Sequence, residues 1–131
     1  MTPARSALLL AGLMASAGLA HFAAPSQFDS IVPRSLLGSP RAWTRASGAA
    51  ELVLAAGLAI PATRRASAHA TALFFAGVFP ANVKMAYDWR HRSTPERAVA
   101  YARLPLQVPL IVWARHAGKQ HVRRGPAGAG R

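Results

Sequence analysis

Residues 46–63, ASGAAELVLAAGLAIPAT, carry one charged side chain, Glu51, in eighteen positions. Read outward, the pattern repeats. Ser6 to Phe28 holds no Asp, Glu, Lys or Arg, and neither does Ala66 to Val83. Uncharged stretches of this length read as membrane spans, because the hydrocarbon core of a bilayer takes about 20 helical residues. The chain therefore predicts an all-α fold: an integral membrane, up-down bundle of four helices over about 6–24, 42–60, 66–87 and 95–115. Residues 1–117 form that domain. A basic tail, 118–131, is expected to be disordered, because Gly, Arg, Ala and Pro give it no apolar face.

Composition first points elsewhere. The 131 residues include 16 Lys+Arg against 4 Asp+Glu, a formal net charge of +12. A balance so basic suggests a nucleic-acid partner. A nucleic-acid module, however, sets its Arg and Lys on the binding elements themselves. Here all the basic residues except Arg103 fall in connectors, segment ends and the tail, so the expected partner is the lipid bilayer and no nucleic acid. The chain has no Cys, which removes disulfides, thiol redox chemistry and cysteine-based metal sites.

Local signals set the limits of the spans. The first could instead be a cleaved signal peptide with Arg5 as its basic start, but three further spans make an uncleaved helix the simpler reading. Gly12, Ser16 and Ala20 form a small-xxx-small ridge that would allow close packing. Pro61 closes the second span, Pro80 interrupts the third, and Ser93-Thr94-Pro95-Glu96 opens the fourth. Trp43, Tyr87, Trp89, Tyr101 and Trp113 stand towards the span ends, as interfacial aromatics do. Four spans put both termini on one side, taken as cytoplasmic. The basic residues divide evenly between the two sides, so the positive-inside rule does not decide this.

The few polar residues inside the spans are the informative ones. His21 lies near the end of the first span, and Glu51 about 12 Å below Trp43 at 1.5 Å per residue. Asn82 lies near the end of the third. Arg103 and Gln107, four residues apart, share a face of the fourth. In an up-down bundle all five fall in the half opposite the termini. Intramembrane ionisable groups are costly and mark function. We therefore expect a polar cluster of His21, Glu51, Asn82, Arg103 and Gln107, with the connector 25–41 either covering its mouth as a flap or resting on the surface as a plain loop. The plainer reading is that these groups tie helices together. His69, near the start of the third span, belongs to the other side. No HExxH motif, phosphate loop or GxSxG elbow is present, so no metal site and no catalytic residue is indicated.

Five motifs resemble the DoxX-like family of small membrane proteins. They are Gly18-Leu19-Ala20-His21-Phe22 with Pro25, Phe28 and Ile31-Val32-Pro33; Ser47-Gly48-Ala49-Ala50-Glu51; Gly57-Leu58 with Pro61; Phe79-Pro80-Ala81-Asn82; and Arg103-Leu104-Pro105-Leu106-Gln107. The similarity covers roughly Leu8 to Ala114. It implies a four-helix inner-membrane protein with a loose link to thiosulfate:quinone oxidoreductase systems, hence membrane redox partners and a quinone as a candidate cofactor. Without Cys the chain departs from the quinone-linked thiol oxidoreductases that share this architecture. The expected function is a small subunit or binder of a quinone-like or other amphipathic molecule, not an enzyme on its own. Arg103 would meet an acceptor oxygen, Asn82 and Gln107 would orient it, and His21 with Glu51 would exchange protons. The alternatives are an assembly factor whose polar cluster is structural, and a small-solute transporter. Oligomerisation is left open.

Overall fold

The computed structural model describes residues 1–119. The described residues form five α-helices: α1 (Pro3–Ala23), α2 (Pro25–Asp29), α3 (Pro40–Ala59), α4 (Arg64–Asp88) and α5 (Thr94–Ala117), with a short 3-10 turn at Trp89–His91. No strand occurs among the described residues. The expected tail from Gln120 onward lies outside them.

Local chemistry sets the helix limits. Thr2 caps α1 through its hydroxyl, which accepts from Arg5 N at 3.3 Å, and Pro3 follows at the first helical position. Ser39 caps α3 in the same way, its hydroxyl accepting from Ala42 N at 3.1 Å, with Pro40 next. In both, the side-chain oxygen satisfies an amide that has no partner in the helix, and proline occupies a site where no donor is needed. At the start of α5, Glu96 Oε2 accepts from Ser93 N at 3.2 Å and from Ser93 Oγ at 2.7 Å. Pro80 does not interrupt α4, which continues through it to Asp88. A proline inside a helix removes one donor and crowds one carbonyl, and packing against α5 holds the helix together across that gap.

The four long helices form a ring in which each neighbour runs antiparallel. α1 packs chiefly on α3 and α4 on α5, while α3–α4 and α1–α5 close the ring. α1 and α3 approach each other closely at two glycines. A Cβ added at Gly18 would lie 2.9 Å from Gly48 O and 2.9 Å from Leu52 Cγ. One added at Gly48 would lie 2.8 Å from His21 Cβ. The expected ridge of Gly12, Ser16 and Ala20 is therefore not the packing face. Gly12 and Ser16 point outward, with nothing within 4 Å of a Cβ at Gly12. The buried face of α1 is Ala7, Leu10, Ala11, Met14 and Gly18.

The apolar core is lopsided. Ala7, Leu10 and Met14 meet Ala55 and Leu58, Ala68, Ala72 and Phe75, and Ala114 and Ala117. All belong to the half of the bundle nearest the termini. There Trp113 Nε1 donates to Ser6 Oγ at 2.9 Å and ties α5 to α1. The other half holds a smaller cluster, Met85, Ala86 and Ala100 with Ile31, Trp89 and Leu104, and is otherwise open.

The all-α fold is as expected, and the expectation of four membrane spans is matched in part. Among the described residues, α1 alone is long and apolar enough to cross a membrane by length and composition. The physical reason is that absence of charge is not apolarity. α3 and α4 are rich in Ala, Gly, Ser and Thr, whose transfer free energies are small, and include Arg45 and Lys84, while α5 carries Glu96, Arg97, Arg103 and Gln107.

The α1–α3 crossing yields a paired test. Gly18→Ala forces backbone and Leu52 apart, and overpacking of this kind costs about 1–3 kcal/mol. Gly12→Ala meets open space and gains helix propensity of about 1 kcal/mol. Thermal unfolding followed by circular dichroism should place Gly18→Ala below the parent chain and Gly12→Ala at or above it.

Candidate functional site: a polar-edged cavity

The open half of the bundle encloses a cavity of about 530 Å³. His21, Glu51, Asn82, Arg103 and Gln107 all line it. Leu13, Met14, Phe74, Val78, Leu106 and Leu110 supply much of its apolar wall. The sequence-derived polar residues are thus brought to one space by four different helices. His69 is exposed and lines no part of it.

Those five residues fall into two sets. The first joins α4 to α5. Arg103 Nε donates to Asn82 Oδ1 at 3.2 Å, and Asn82 Nδ2 donates to Gln107 Oε1 at 3.0 Å. Gln107 Nε2 then donates to the Phe75 carbonyl. Every donor points the same way, from the guanidinium towards the α4 backbone. Asn82 and Gln107 are each 4% exposed, so this closed chain is what makes their burial tolerable. None of the hydrogen bonds among the described residues uses the terminal nitrogens of Arg103, which leaves them directed by a fixed Nε.

The second set joins α1 to α3. His21 Nδ1 lies 2.9 Å from Glu51 Oε2 and 2.8 Å from the Ala17 carbonyl. A single ring nitrogen cannot serve both oxygens with equal geometry. The Ala17 contact has the alignment of a hydrogen bond, and Glu51 Oε2 is left buried with no hydrogen-bond partner among the described residues. The Glu51 side chain is 10% exposed. A buried acceptor in this position costs free energy until something donates to it.

The connector between α1 and α3 forms the outer wall. Phe28 stacks on His21 with ring centroids 3.8 Å apart. Ile31, Val32, Pro33 and Leu36 also face the cavity. One acidic residue pins this segment. Asp29 Oδ1 accepts from Thr44 Oγ1 at 2.6 Å, and Asp29 Oδ2 accepts from Arg41 Nε at 2.8 Å. Farther along, Trp43 Nε1 donates to the Leu37 carbonyl at 2.7 Å. Asp29 and Thr44 were not singled out by sequence, although Asp29 is one of only four acids in the chain and Arg41 stands twelve residues on. Thr44 gave no signal, since nothing in its neighbourhood marks it as a buried hydroxyl.

No group of three or more His, Asp or Glu residues converges on a metal-binding geometry among the described residues.

The chain belongs to the family described as a domain of unknown function, DUF8561, whose model matches residues 10–118. This overturns the resemblance to the DoxX-like family, which no match supports. The five motifs that carried it are short runs of Gly, Ala and Pro with one polar residue, and helix ends in any small-residue bundle supply such runs. The redox association that rested on the resemblance goes with it. No curated protein and no solved structure matches the chain.

The Asp29 anchor gives a pH signature. The Thr44 hydroxyl above all holds the Asp29 carboxyl below its ordinary value of 3.8, with burial opposing it and Arg41 adding to it. A group with a depressed folded-state pKa stabilises the fold above its unfolded pKa, and that contribution is lost as pH falls through the folded value. Asp29→Asn should therefore melt below the parent chain at pH 6, and the difference should shrink towards zero below pH ~4.

Proposed function

We propose that α1, α3, α4 and α5 are four spans of an integral plasma-membrane protein, and that the cavity holds a small amphipathic molecule with its polar head among the five polar residues. What supports the membrane reading is where the large apolar side chains point. Leu8 and Leu19, Val53 and Ile60, Leu73 and Val83, and Val108 and Val112 are exposed on the outer faces of all four helices. The interior between them is largely Ala, Gly, Ser and Thr. A water-soluble bundle buries its Leu and Val and exposes charge. Small residues inside and large apolar residues outside suit helices that pack in lipid.

The observation that carries the binding reading is the asymmetry of the cavity wall. Binding sites for small molecules are mostly apolar, with a few convergent polar groups. Here the terminal nitrogens of Arg103 offer donors to an acceptor oxygen, with Asn82 and Gln107 holding the guanidinium in place. Glu51 Oε2 offers an acceptor to a hydroxyl or amine, with His21 beside it as a proton partner. A molecule bearing an acceptor and a donor on an apolar body, such as a hydroxylated aromatic ring, satisfies both. The closed Arg103–Asn82–Gln107–Phe75 chain favours a second, purely structural reading for those groups, but it leaves Glu51 unexplained.

Mass spectrometry of the detergent-purified protein separates the two. The binding reading expects a co-purifying amphipathic molecule in the parent chain. It expects at least a tenfold loss in Glu51→Ala while circular dichroism stays unchanged. An empty parent chain, or equal occupancy in both, supports the structural reading.

A further inference from the structure

A second cavity, of about 310 Å³, lies at the opposite end of the bundle. The start of α1, the turn between α3 and α4, and the end of α5 meet there. Its polar lining is Thr2, Arg64, Arg65 and Lys119, three of them cationic. Arg64 is held in place by the end of α3, where its Nε donates to the Leu58 carbonyl at 2.9 Å and its Nη2 to the Ala59 carbonyl at 3.0 Å. Arg65 and Lys119 are exposed beside it.

No carboxylate side chain can neutralise this end. The chain's Asp and Glu residues are Asp29, Glu51, Asp88 and Glu96, and each stands in the other half of the bundle or at its far end. Three of them are spent there on basic partners: Arg41–Asp29 at 2.8 Å, Lys84–Asp88, and Arg92–Glu96 at 3.4 Å. Among the described residues, Arg5, Arg64, Arg65, Arg115 and Lys119 at this end have no acid beside them, whereas the basic residues of the other half share it with all four acids. Farther along the bundle from this end stand the outward-facing Leu8, Ile60 and Val112. In a bilayer this sequence of an apolar band followed by a cationic recess sets the recess at the level of the lipid phosphates.

We infer that the recess formed by Arg64, Arg65 and Lys119 is a docking site for the phosphate of an anionic phospholipid headgroup, and that it fixes the termini on the leaflet richer in anionic lipid. This rests on the membrane reading above and is independent of the larger cavity. A basic residue near an anionic surface contributes about 1 kcal/mol, or about fivefold, so two contribute on the order of 25-fold.

The test is flotation of the full chain with phosphatidylcholine vesicles and native mass spectrometry of its retained lipid from equimolar phosphatidylglycerol and phosphatidylcholine. The parent chain should float and retain phosphatidylglycerol in preference. The double variant Arg65→Gln with Lys119→Gln should lose about 25-fold of that preference, by the same charge arithmetic. Arg65→Lys with Lys119→Arg should keep it, and so should Arg34→Gln with Arg45→Gln at the other end. Equal preference in the parent chain and the first double variant overturns the inference, as does an equal loss in the Arg34 and Arg45 variant. Displacement of phosphatidylglycerol by millimolar inorganic phosphate shows a site for free anions and overturns the lipid assignment. A parent chain that fails to float overturns the membrane reading as well, whereas one that floats without preferring phosphatidylglycerol overturns this inference alone.

Discussion

The crossing of α1 over α3 at Gly18 and Gly48 is the constraint on which the rest of the bundle depends. Neither position has room for a Cβ without displacing backbone or the root of a side chain. One turn beyond Gly18 on α1 and one turn beyond Gly48 on α3 come His21 and Glu51. Their approach is a consequence of how near the two backbones lie. A wider crossing would separate the imidazole from the carboxylate and would leave Glu51 facing the interior with nothing beside it. The same approach carries Phe28 onto His21, and so sets where the connector must lie. Asp29 then fastens that connector to Thr44 and Arg41, and the cavity acquires its outer wall.

The cavity follows from an uneven distribution of volume. Near the termini, Leu10, Met14, Leu58 and Phe75 fill the space between four helices. In the other half the inward positions are taken by Ser47, Gly77, Ala81 and the polar five, which fill less of it. Interiors pack to high density where side chains permit, so a space of this size marks positions where the sequence does not supply the volume. The two helix pairs meet across it differently. α4 and α5 are joined by a closed run of hydrogen bonds that ends on the Phe75 carbonyl. α1 and α3 are joined by a contact that leaves one carboxylate oxygen unsatisfied. A ligand would complete the second arrangement and has nothing to add to the first beyond the free end of Arg103.

Much of this was legible in the sequence for identifiable reasons. Helix limits were readable because Ser93, Pro95, Pro61 and the connectors carry strong local chemistry. The polar five stood out because an ionisable or amide group in a long uncharged stretch is conspicuous, and because chain reversal assigns each a depth. Side-chain direction was not readable. Gly12 and Gly18 lie on one Ala-rich helix whose apolar residues surround it, so no stripe told the packing face from the outer one. The Asp29–Thr44 bond joins a connector to a helix with no periodic signal. Composition alone marks only α1 as a span, because an uncharged Ala-rich helix is less apolar than its lack of charge suggests. The family assignment erred for a related cause, since Gly, Ala and Pro runs recur wherever helices pack closely.

The absence of cysteine permits one direct measurement of the central claim, that the outer faces of all four long helices lie in lipid. Single cysteines at Leu8, Val53, Leu73 and Val108, each carrying a fluorophore, can be compared with one at Arg34 in vesicles that contain bromine-labelled acyl chains. The account predicts strong quenching at the four apolar positions and little at Arg34. Fluorescence at Val53, Leu73 and Val108 as unquenched as at Arg34, with only Leu8 in contact with the acyl chains, would contradict it.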